Sequence, residues 1–577
     1  MRFPKIWGHG SLFAFSGLEG DTSFNDNFVG TLCSDKIGVL FNTNFRRELS
    51  FCLKEVKDVK FDIVASDIIS GAVKDSKTDS EMKFAIAFYS KDIVIGAGNS
   101  SAIPKVSCEF ENMENTYCQD NILINAIDGE YTAFNKIEDN WNIKFAFSYS
   151  RQSKEDAVEK VKSALNIDLN KVIRDKLEFY ENLPKVEKVN NGMEQTLYKC
   201  FSILKSQVYS PEGMFKNLWT TPDKLPHKFL WLWDSVFHSF GNRYISKELA
   251  FQSINAVLDT QREGGFIALM SSPDSSLDIT QPPVIAWGLY DLYKYNKDKK
   301  MLEDTYDSLK RYLDWNIRNR DSNGNNLFEW KIEKNSVDCR CGESGMDNSP
   351  RFDNVTEMDC IDFSCFMANE ARYMKLIADE LGMSEEAVRW NKLFNDIKDA
   401  VNRHLWDPED GFYYDRTIST SEFKKVKAVS SFLPLFAGIC EKTQADSLVR
   451  HLTDNRSFNT EFSIPSISID DTTFGTDMWR GPVWINYNYM IILGLRDYGY
   501  DKLSEKIKQK TLETICFWYM HDGIVYEFYD SRDRVSPSKL YRKGEVVEPY
   551  DLRIRVQSIR DYGWTAALFI RLMMEKV

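Results

Sequence analysis

The sequence has no long apolar run and no excess of basic residues. No stretch approaches the roughly 20 consecutive apolar residues that a membrane-spanning helix needs. Lysine and arginine number 73 against 86 aspartates and glutamates, which gives a formal net charge of −13. An acidic chain is a poor match for nucleic acid or for an anionic membrane surface. We therefore expect a soluble protein with no nucleic-acid partner and no membrane partner.

We expect neither a secretion signal at the start of the sequence nor a zinc site among its cysteines. The opening residues, MRFPKIWGHGSLFAF, have no clean apolar core and no small-residue cleavage site, so we interpret them as a first strand. Eleven cysteines occur at scattered spacings, and the pair Cys339 and Cys341 has no second pair at zinc spacing. We expect free thiols in a reducing cytoplasm, and no metal or other cofactor.

The chain is too long for a single hydrophobic core, so at least two domains are expected. Of its 577 residues, 43% are hydrophobic and 28% are charged, as in folded globular proteins. Aromatic residues reach 14%, and the tryptophans are distributed unevenly. Only Trp7 and Trp141 precede residue 200, whereas the other 12 of the 14 follow it. The two parts of the chain therefore have different roles.

Residues 1–150 have the pattern of short strands. Segments such as IGVLFNT, KFAIAFYS and IKFAFSYS are rich in β-branched and aromatic residues, and polar turns separate them. The pattern predicts an antiparallel β-sandwich domain, in which no acids or histidines converge. From about residue 153 the hydrophobic period becomes helical, so residues 151–190 are predicted to be linker helices.

Residues 191–577 alternate helical segments with long loops. The stretches DSNGNNLFEW, DPEDGFYYD and HDGIVYEFYD each follow a predicted helix and run from acid through glycine to aromatics, which indicates repeated helical hairpins. Twelve helices make six hairpins, so we predict an all-α (α/α)6 catalytic barrel. An irregular helical domain or an open solenoid is the alternative. The predicted helices are 192–208, 233–242, 246–260, 282–297, 299–319, 356–381, 385–404, 427–438, 442–453, 482–498, 500–518 and 560–575.

One loop, CGESGMDNSPRFDN at 341–354, is unusually rich in acids. It places Glu343, Asp347 and Asp353 within eleven positions, and its glycines and proline break up any regular period. In a ring of hairpins the loops at one end line a cavity, so we expect this loop to direct Asp347 into it. In the alternative, Asp347 forms an ordinary Asx turn and Arg351 pairs with Asp353 on the surface.

Four further clusters at helix–loop junctions combine aromatic with polar side chains. Aromatic planes stack on the apolar faces of sugar rings, and charged or amide groups bond to the hydroxyls, so the clusters together favour a carbohydrate site. Any single tryptophan is more often a core residue, and Asp234 is equally well interpreted as a helix N-cap. The candidates are Trp233 and Asp234, Gln281, then Trp479, Arg480 and Trp484, and finally Glu527.

Hydrolysis of a glycosidic bond requires two carboxyl groups in different protonation states. One donates a proton to the leaving oxygen, and the other is ionised and activates water or attacks directly. Asp347 and Glu527 fit this need because both lie in glycine-containing loops beside aromatics or arginine. They are about 180 residues apart in the sequence, so they would converge from different hairpins.

Six motifs of the second part occur in a recognisable order. They are FLWLWDSVF, TQPPVIAWGLYDLY, ESGMDNSPRFD, MWRGPVW, YEFYD and YGWTAAL. Over about residues 190–577 the chain resembles the trehalase-like six-hairpin glycosidases. The resemblance is closest to glycoside hydrolase family 63 and its bacterial members, which include α-glucosidases and hydrolases of mannosylglycerate and glucosylglycerate. It implies an (α/α)6 barrel, often preceded by a β-sandwich, and inversion of the anomeric configuration.

The resemblance also implies roles for individual residues. The motif aspartate that acts as general acid falls on Asp347, and the motif glutamate that acts as general base falls on Glu527. The sequence departs from the family at Ile485, where a proline is usual, and the sandwich carries no matching motif. The subsite for the non-reducing sugar would be lined by Trp233, Asp234, Gln281, Trp479, Arg480 and Trp484.

A charged loop at 528–550 follows the predicted base. It is placed to cap the aglycone side of the site, where Arg532, Lys539 and Arg542 would meet an acidic group such as glycerate. The alternative is an ordinary solvated charged loop. Beyond its charges, the sequence leaves the sugar, the linkage, the aglycone and the oligomeric state open.

The sequence thus predicts an inverting, exo-acting glycoside hydrolase that acts on an α-linked glucoside or mannoside, of oligosaccharide or glycosylglycerate type. One alternative is a sugar phosphorylase on the same barrel, which would need cations where the base stands. The stretch around Glu527 shows no cation before Arg532, which argues against it. A second alternative is a carbohydrate-binding protein without turnover, which the presence of both acids disfavours. An epimerase would normally use histidines, and the chain has only six.

Overall fold

The first 150 residues form two antiparallel β-sheets. The computed structural model describes residues 1–575 apart from 27, 34–36, 44–47, 54–57, 75–80, 100–105, 111–112, 140–141, 188, 334–338, 463 and 544–556. The strands of this part are β1 (Leu12–Phe13), β2 (Val29–Leu32), β3 (Ile37–Asn42), β4 (Glu48–Leu53), β5 (Val59–Val64), β6 (Ile68–Lys74), β7 (Glu81–Ser90), β8 (Ile93–Asn99), β9 (Ser107–Phe110), β10 (Thr116–Gln119), β11 (Ile122–Ile127), β12 (Glu130–Glu138) and β13 (Asn142–Ser150).

The two sheets enclose one apolar core. One sheet has the strand order β1-β2-β3-β4-β9, and the other has the order β10-β11-β12-β13-β8-β7-β6-β5. Phe13 and Phe41 of the first sheet pack with Phe88 and Phe147 of the second in a single buried cluster. Alternate residues of a strand face the same side, so the central strands direct one set of side chains into this core. The predicted antiparallel β domain at the start of the chain is confirmed.

Two helices follow the sheets, α1 (Lys154–Ala164) and α2 (Leu169–Glu181). The Ser153 side chain accepts a hydrogen bond from the N–H of Asp156 and begins α1, and Asp168 accepts from the N–H of Asn170 and begins α2. Val161 of α1 packs on the outer face of the larger sheet. The helical period after residue 153 therefore corresponds to two helices that contact the larger sheet and precede the helical part of the chain.

The rest of the described chain is predominantly helical, and each of its helices overlaps a predicted one. The helices are α3 (Asn191–Ser206), α4 (Leu232–Asn242), α5 (Lys247–Leu258), α6 (Ile285–Asn296), α7 (Lys299–Asn319), α8 (Ile361–Leu381), α9 (Ser384–His404), α10 (Leu433–Ala437), α11 (Lys442–Thr453), α12 (Ile485–Asp497), α13 (Asp501–Asp522) and α14 (Gly563–Met574). Short strands punctuate the loops: β14 (Val208–Tyr209), β15 (Trp219–Thr220), β16 (Leu230–Trp231), β17 (Met270–Ser271), β18 (Met358–Asp359), β19 (Trp406–Asp407), β20 (Phe412–Tyr413), β21 (Asp415–Thr417) and β22 (Phe423–Lys424).

Six helices of this part contact one another in a series. Each contacts the next one in the order α4, α6, α8, α10, α12 and α14, and α14 contacts α4 again. Within this series, the carboxylate of Glu370 on α8 accepts hydrogen bonds of 2.8 and 2.9 Å from the N–H groups of Ala286 and Trp287 at the start of α6. Burial raises the pKa of Glu370 to about 7. A buried carboxyl group thus satisfies the amides at the start of α6 that have no partner within the helix.

A buried ion cluster joins the sheets to the helices. Lys205 of α3 lies 2.6 Å from Asp67 and 2.7 Å from Glu19, and Lys176 of α2 contacts the same two acids. Burial alone would raise the pKa of Asp67, but the two lysines outweigh it and lower the pKa. Removing one partner of such a cluster leaves a buried charge unpaired, which is strongly destabilising.

All eleven cysteines are free thiols, as predicted. Within the described residues, every helix is too short or too polar to cross a membrane. One group of described residues, Cys360, Asp362 and Asp415, has the close spacing of metal ligands. Its two carboxylates, however, bond the guanidinium of Arg351 at 2.7–2.9 Å. An arginine therefore already provides the positive charge at this cluster.

Candidate active site

A cavity of about 540 Å³ opens among the loops of the helical part. Its walls come from the segments before α4 and α6, from the loop after α7, and from the loops on either side of α12–α13 and α14. Six of the eight predicted site residues line it: Trp233, Asp234, Gln281, Asp347, Trp484 and Glu527. The structure thus brings together side chains that are up to about 290 residues apart in the sequence.

Asp347 follows a tight glycine turn that directs it into the cavity. Gly345 has a φ of +68°, and a Cβ at this position would overlap the indole of Trp233. The turn therefore requires glycine. The carbonyl of Asp347 accepts a hydrogen bond of 2.8 Å from the N–H of Arg340. Its carboxylate lies 2.5 Å from the ammonium of Lys543 and is 20% exposed.

The other two acids of the 341–354 loop are structural. Glu343 is buried and bonds Arg320 at 2.5 Å together with two backbone N–H groups. Asp353 bonds Arg480 at 2.7 Å. Arg351 is buried against Asp362 and Asp415, and not paired with Asp353 on the surface as the alternative interpretation had it, so that part of the alternative is wrong.

Glu527 lies on the first of two neighbouring extended segments, residues 525–529 and 559–562. Its N–H donates to the carbonyl of Ile559 at 2.9 Å, and its side chain is almost fully buried. The guanidinium of Arg542 donates to both carboxylate oxygens of Glu527, at 2.9 and 3.3 Å. Burial alone would lower the pKa of Arg542, but the ion pair with Glu527 outweighs it and raises the pKa. The inference that no cation stands beside Glu527 was therefore wrong, because Arg542 reaches it from 15 residues further along the chain.

Asp234 lies in the first turn of α4, which forms one side of the same cavity. Trp231 occupies the N-cap position, and no side chain caps this helix, so the N-cap interpretation of Asp234 is wrong. The hydroxyl of Tyr562 donates to Asp234 at 3.3 Å. Burial raises the pKa of Asp234 well above its ordinary value, and the charge of Glu527 acts in the same direction, while the hydrogen bond from Tyr562 opposes them.

Gln281 connects two of the walls. Its side-chain oxygen accepts a hydrogen bond of 3.1 Å from the N–H of Trp233, and its carbonyl accepts one of 3.2 Å from the hydroxyl of Tyr312. It lies just before α6, whose first amides are held by Glu370. Gln281 is nearly fully buried, so it orients the first turn of α4 as well as facing the cavity.

Aromatic rings form the apolar wall. Trp484 packs edge-to-face with Trp564, and Trp564 packs in the same way with Trp233. Trp479 stacks on Trp484 at a centroid distance of 3.8 Å and lies outside the cavity lining. Arg480 is also outside the lining: it bonds the carbonyl of Asn348 and the carboxylate of Asp353. Trp479 and Arg480 therefore support the wall from behind, whereas Trp484 forms its surface.

Several lining residues were not selected from the sequence. Tyr562 and Trp564 belong to the motif YGWTAAL, but the sequence alone indicates no role for either side chain. His227 lines the cavity, and its Nδ1 lies 2.9 Å from the buried carboxylate of Asp223. Lys543 gave no signal, because it lies in a charged loop without periodicity. Arg542, which was predicted to meet an acidic group, lies in the cavity wall with its side chain 10% exposed and is not part of a solvated loop.

The charged loop at 528–550 is described only in part, since residues 544–550 lie outside the described residues. Its last described residues cross the cavity: the N–H and carbonyl of Tyr541 bond residues 476 and 478, and the N–H of Lys543 donates to the carboxylate of Asp477 at 2.9 Å. Arg532 packs on the ring of Phe474 instead of in the cavity. The loop thus presents two consecutive cations, Arg542 and Lys543, to the two candidate carboxylates.

Residues 227–533 match the model of the mannosylglycerate hydrolase MGH1-like glycoside hydrolase domain. Mannosylglycerate hydrolase MGH2 of Selaginella moellendorffii is 24% identical over 394 residues, which cover 54% of this chain and 77% of that protein. The crystal structure of the GH63 mannosylglycerate hydrolase from Thermus thermophilus in complex with glucose superposes with a TM-score of 0.54 at 23% identity. It covers 65% of this chain and 99% of that chain, as does the complex with Tris and D-glycerate, which has a TM-score of 0.53.

A likeness to another solved structure extends over the sheets as well. The crystal structure of a bacterial glucoamylase complexed with acarbose covers 99% of this chain and 94% of that chain, with a TM-score of 0.63 at 12% identity. At this identity the likeness concerns the fold alone. It shows that the order of the two parts, an antiparallel β domain followed by a helical domain, is shared with another solved protein.

Proposed function

Because the chain belongs to the mannosylglycerate hydrolase MGH1-like glycoside hydrolase family, we propose that it is an inverting, exo-acting enzyme for an α-linked glucoside or mannoside. The predicted kinship with trehalase-like glycosidases of family 63 is confirmed, and the chain is a glycoside hydrolase. We assign the general acid to Asp347 and the general base to Glu527. The observation that carries this assignment is that the two carboxyl groups, from distant loops, line one cavity.

The proposed reaction uses one proton transfer at each carboxyl group. Asp347 donates its proton to the glycosidic oxygen as the bond from that oxygen to the anomeric carbon breaks. Glu527 removes a proton from the water that attacks the opposite face of the sugar, so the configuration inverts. This geometry needs a carboxyl separation of roughly 6.5–9.5 Å. Arg542 supports the role of Glu527, since its guanidinium donates to both carboxylate oxygens and so fixes the orientation of the side chain.

We propose an indirect role for some of the predicted subsite residues. Trp233 and Trp484 present aromatic surface to the sugar, and Asp234 and Gln281 supply hydrogen-bonding groups beside them. Trp479 and Arg480 act by holding the Trp484 wall and the Asp347 loop in place. In this assignment the sugar meets a mixed wall of aromatic rings and polar groups.

Lys543 favours an acidic aglycone. The ammonium of Lys543 lies 2.5 Å from the carboxylate of Asp347, so a cation stands beside the proposed acid, where the leaving group would lie. A carboxylate on the leaving group would attract Lys543 away from Asp347. The Thermus thermophilus relative has been solved with D-glycerate, which carries such a carboxylate. We therefore favour the glycosylglycerate type of substrate over a neutral oligosaccharide.

Replacing Lys543 by methionine should change the substrate preference. We expect KM for an α-glycosylglycerate to rise roughly tenfold, the cost of losing one charge-assisted contact of about 1.4 kcal/mol. KM for the matching methyl glycoside should stay within about threefold. Steady-state kinetics on both substrates measures the effect, with Lys539→Met as the control because Lys539 is exposed on the same loop. An equal change for both substrates would count against an anionic aglycone.

The phosphorylase alternative regains some support from the structure. Arg542 and Lys543 place two cations in the cavity, and phosphate binding needs cations and hydroxyls there. Both cations, however, already bond a carboxylate, that of Glu527 or that of Asp347. The alternative of a binding protein without turnover is set aside, because the chain is a glycoside hydrolase.

A substrate panel tests the proposed function. Purified protein is incubated with α-linked gluco- and manno-disaccharides and with α-glucosyl- and α-mannosylglycerate, with and without inorganic phosphate. We expect release of free β-configured sugar, seen by NMR within the first minutes, at a rate that does not depend on phosphate. Release of the α-anomer would rule out inversion, and a sugar phosphate as product would identify a phosphorylase.

The finer architecture is also part of the proposal. We propose that α3–α14 form an (α/α)6 barrel, supported by the series of contacts that returns from α14 to α4. The domains we propose are the β-sandwich at 1–150, the linker helices at 151–190 and the catalytic barrel at 191–577. A location in the cytoplasm and a carbohydrate as the partner complete the proposal. The free thiols and the mixed aromatic–polar cavity support them.

A further inference from the structure

The position of Glu527 depends on a short antiparallel pair of segments, residues 525–529 and 559–562, here called the base ladder. The N–H of Glu527 donates to the carbonyl of Ile559, and the N–H of Tyr562 donates to the carbonyl of Val525 at 3.0 Å. Both Glu527 and Tyr562 line the cavity. Any shift of the base ladder would therefore move the proposed base and the hydroxyl that bonds Asp234.

Asp561 anchors the base ladder from the side that faces away from the cavity. It is fully buried, and its carboxylate accepts hydrogen bonds from the Ser11 hydroxyl, from the Leu12 N–H at 2.9 Å and from Lys199 at 2.7 Å. The other oxygen accepts from the N–H of Val525 at 3.4 Å. Asp561 has a φ of +53°, an unfavourable conformation for a residue with a side chain, which persists only where surrounding contacts enforce it.

The partners of Asp561 lie in residues 11–12 and on α3. Lys199 of α3 bonds both Asp561 and the hydroxyl of Ser11, at 2.5 Å. Arg560 donates to the carbonyl of His9, and the backbone of Gly8 lies against that of Gly523, where a Cβ would not fit. Residues 8–12 thus contact the base ladder and the turn immediately before it.

We propose that residues 8–12 are a positioning element for catalysis, clamped onto the base ladder by Lys199 and Asp561. This inference rests on the proposed role of Glu527 as general base. Ser11, Lys199 and Asp561 lie outside the cavity lining, so they act through the base ladder and do not touch the substrate. The N-terminal part of the chain then contributes directly to the geometry of the active site and not only to stability.

Losing the clamp should affect turnover more than binding. Displacement of a reacting group by about 1 Å can cost roughly 100-fold in rate. The proposed sugar-binding residues Trp233, Gln281 and Trp484 lie on other walls of the cavity, so the affinity for substrate should change little. For Lys199→Met we expect kcat to fall roughly 10- to 100-fold while KM stays within about threefold.

Lys205→Met provides the matched control. Lys205 lies on the same helix as Lys199, is equally buried, and also bonds acids from the first part of the chain, Asp67 and Glu19. Both variants should lower Tm, because Lys199→Met removes the cation bonded to Asp561 and Lys205→Met removes one of the two cations bonded to Asp67. Only Lys199→Met should lower kcat. If Lys199→Met does not fold, the double variant Lys199→Met/Asp561→Asn removes both buried charges and tests the same contact.

Hydrogen exchange provides a readout that does not depend on activity. Peptides covering 523–529 should exchange faster in Lys199→Met, or in the double variant, and at the wild-type rate in Lys205→Met. Unchanged exchange, or faster exchange with unchanged kcat, would overturn the positioning role. Faster exchange in a protein whose wild type hydrolyses no glycoside would uphold the clamp and overturn the assignment of Glu527 instead.

Discussion

Asp347→Asn is expected to reduce kcat at least 100-fold on glycosides with a poor leaving group, with the fold intact. The amide keeps the size and most hydrogen-bonding capacity of the side chain but cannot supply the proton that the glycosidic oxygen needs. A 100-fold loss corresponds to about 2.7 kcal/mol of transition-state stabilisation. The loss should shrink for a 4-nitrophenyl glycoside, because nitrophenolate leaves without protonation.

Asp353→Asn is the matched control for Asp347→Asn. Asp353 lies six residues further along the same loop and bonds Arg480, which supports the loop, but it is outside the cavity lining. We expect a lower Tm for this variant and a kcat within about fivefold of wild type, the range of an indirect effect. Circular dichroism and thermal melts verify folding. Equal losses of Asp347→Asn on both leaving groups would refute the general-acid role.

Glu527→Gln should be at least as damaging, and the loss should be similar for every leaving group. The attacking water needs a base whatever group departs, and a glutamine cannot accept the proton. The amide oxygen can still accept from Arg542 and from the N–H of Ile559, so the local structure should persist. Steady-state rates on the glycosylglycerate and the nitrophenyl glycoside measure the effect.

Asp530→Asn controls for damage to the Glu527 loop. Asp530 is buried three residues later and accepts hydrogen bonds from the backbone N–H groups of Arg534 and Val535. The single oxygen of asparagine can replace only one of the two carboxylate oxygens, and the other accepts from the N–H of Arg532 at 3.3 Å. The variant should therefore have a lower Tm and a kcat within about fivefold of wild type. A Glu527→Gln variant with near-normal turnover, or with a loss confined to poor leaving groups, would contradict its role as base. The dependence on the leaving group thus separates the acid from the base.

Helices such as α7 and α9 could be predicted from the sequence because each buries one face and exposes the other. The helices 299–319 and 442–453 were predicted with their observed bounds, and others differ by a few residues at their ends. The helix predicted at 427–438 is shorter: a 3₁₀ turn precedes α10, Pro434 stands at its start and Gly438 ends it with a φ of +72°. Local periodicity finds such elements, and proline and glycine shift their ends.

The side chains that meet in the site were harder to predict than the helices. Asp347 and Glu527 could be selected because the chemistry demands acids in glycine-containing loops with aromatic or charged neighbours. The contacts of Arg542 and Lys543 with these acids depend on how a charged loop folds over the cavity, and no local pattern encodes that. The places of Trp479 and Trp484 differ for a similar reason: they are stacked, and only the fold decides which ring faces the cavity.

The contact between Ser11 and Asp561 has a consequence for biosynthesis. The two residues are separated by 550 positions, so at roughly 5–20 residues per second a ribosome needs about 30–110 s to make the second after the first. The sheets can fold long before then, while the Ser11 hydroxyl and β1 still lack the carboxylate of Asp561 as a partner. The proposed base receives its support only after Asp561 has been made, so a nascent chain would stay inactive until the helical part up to that residue has emerged.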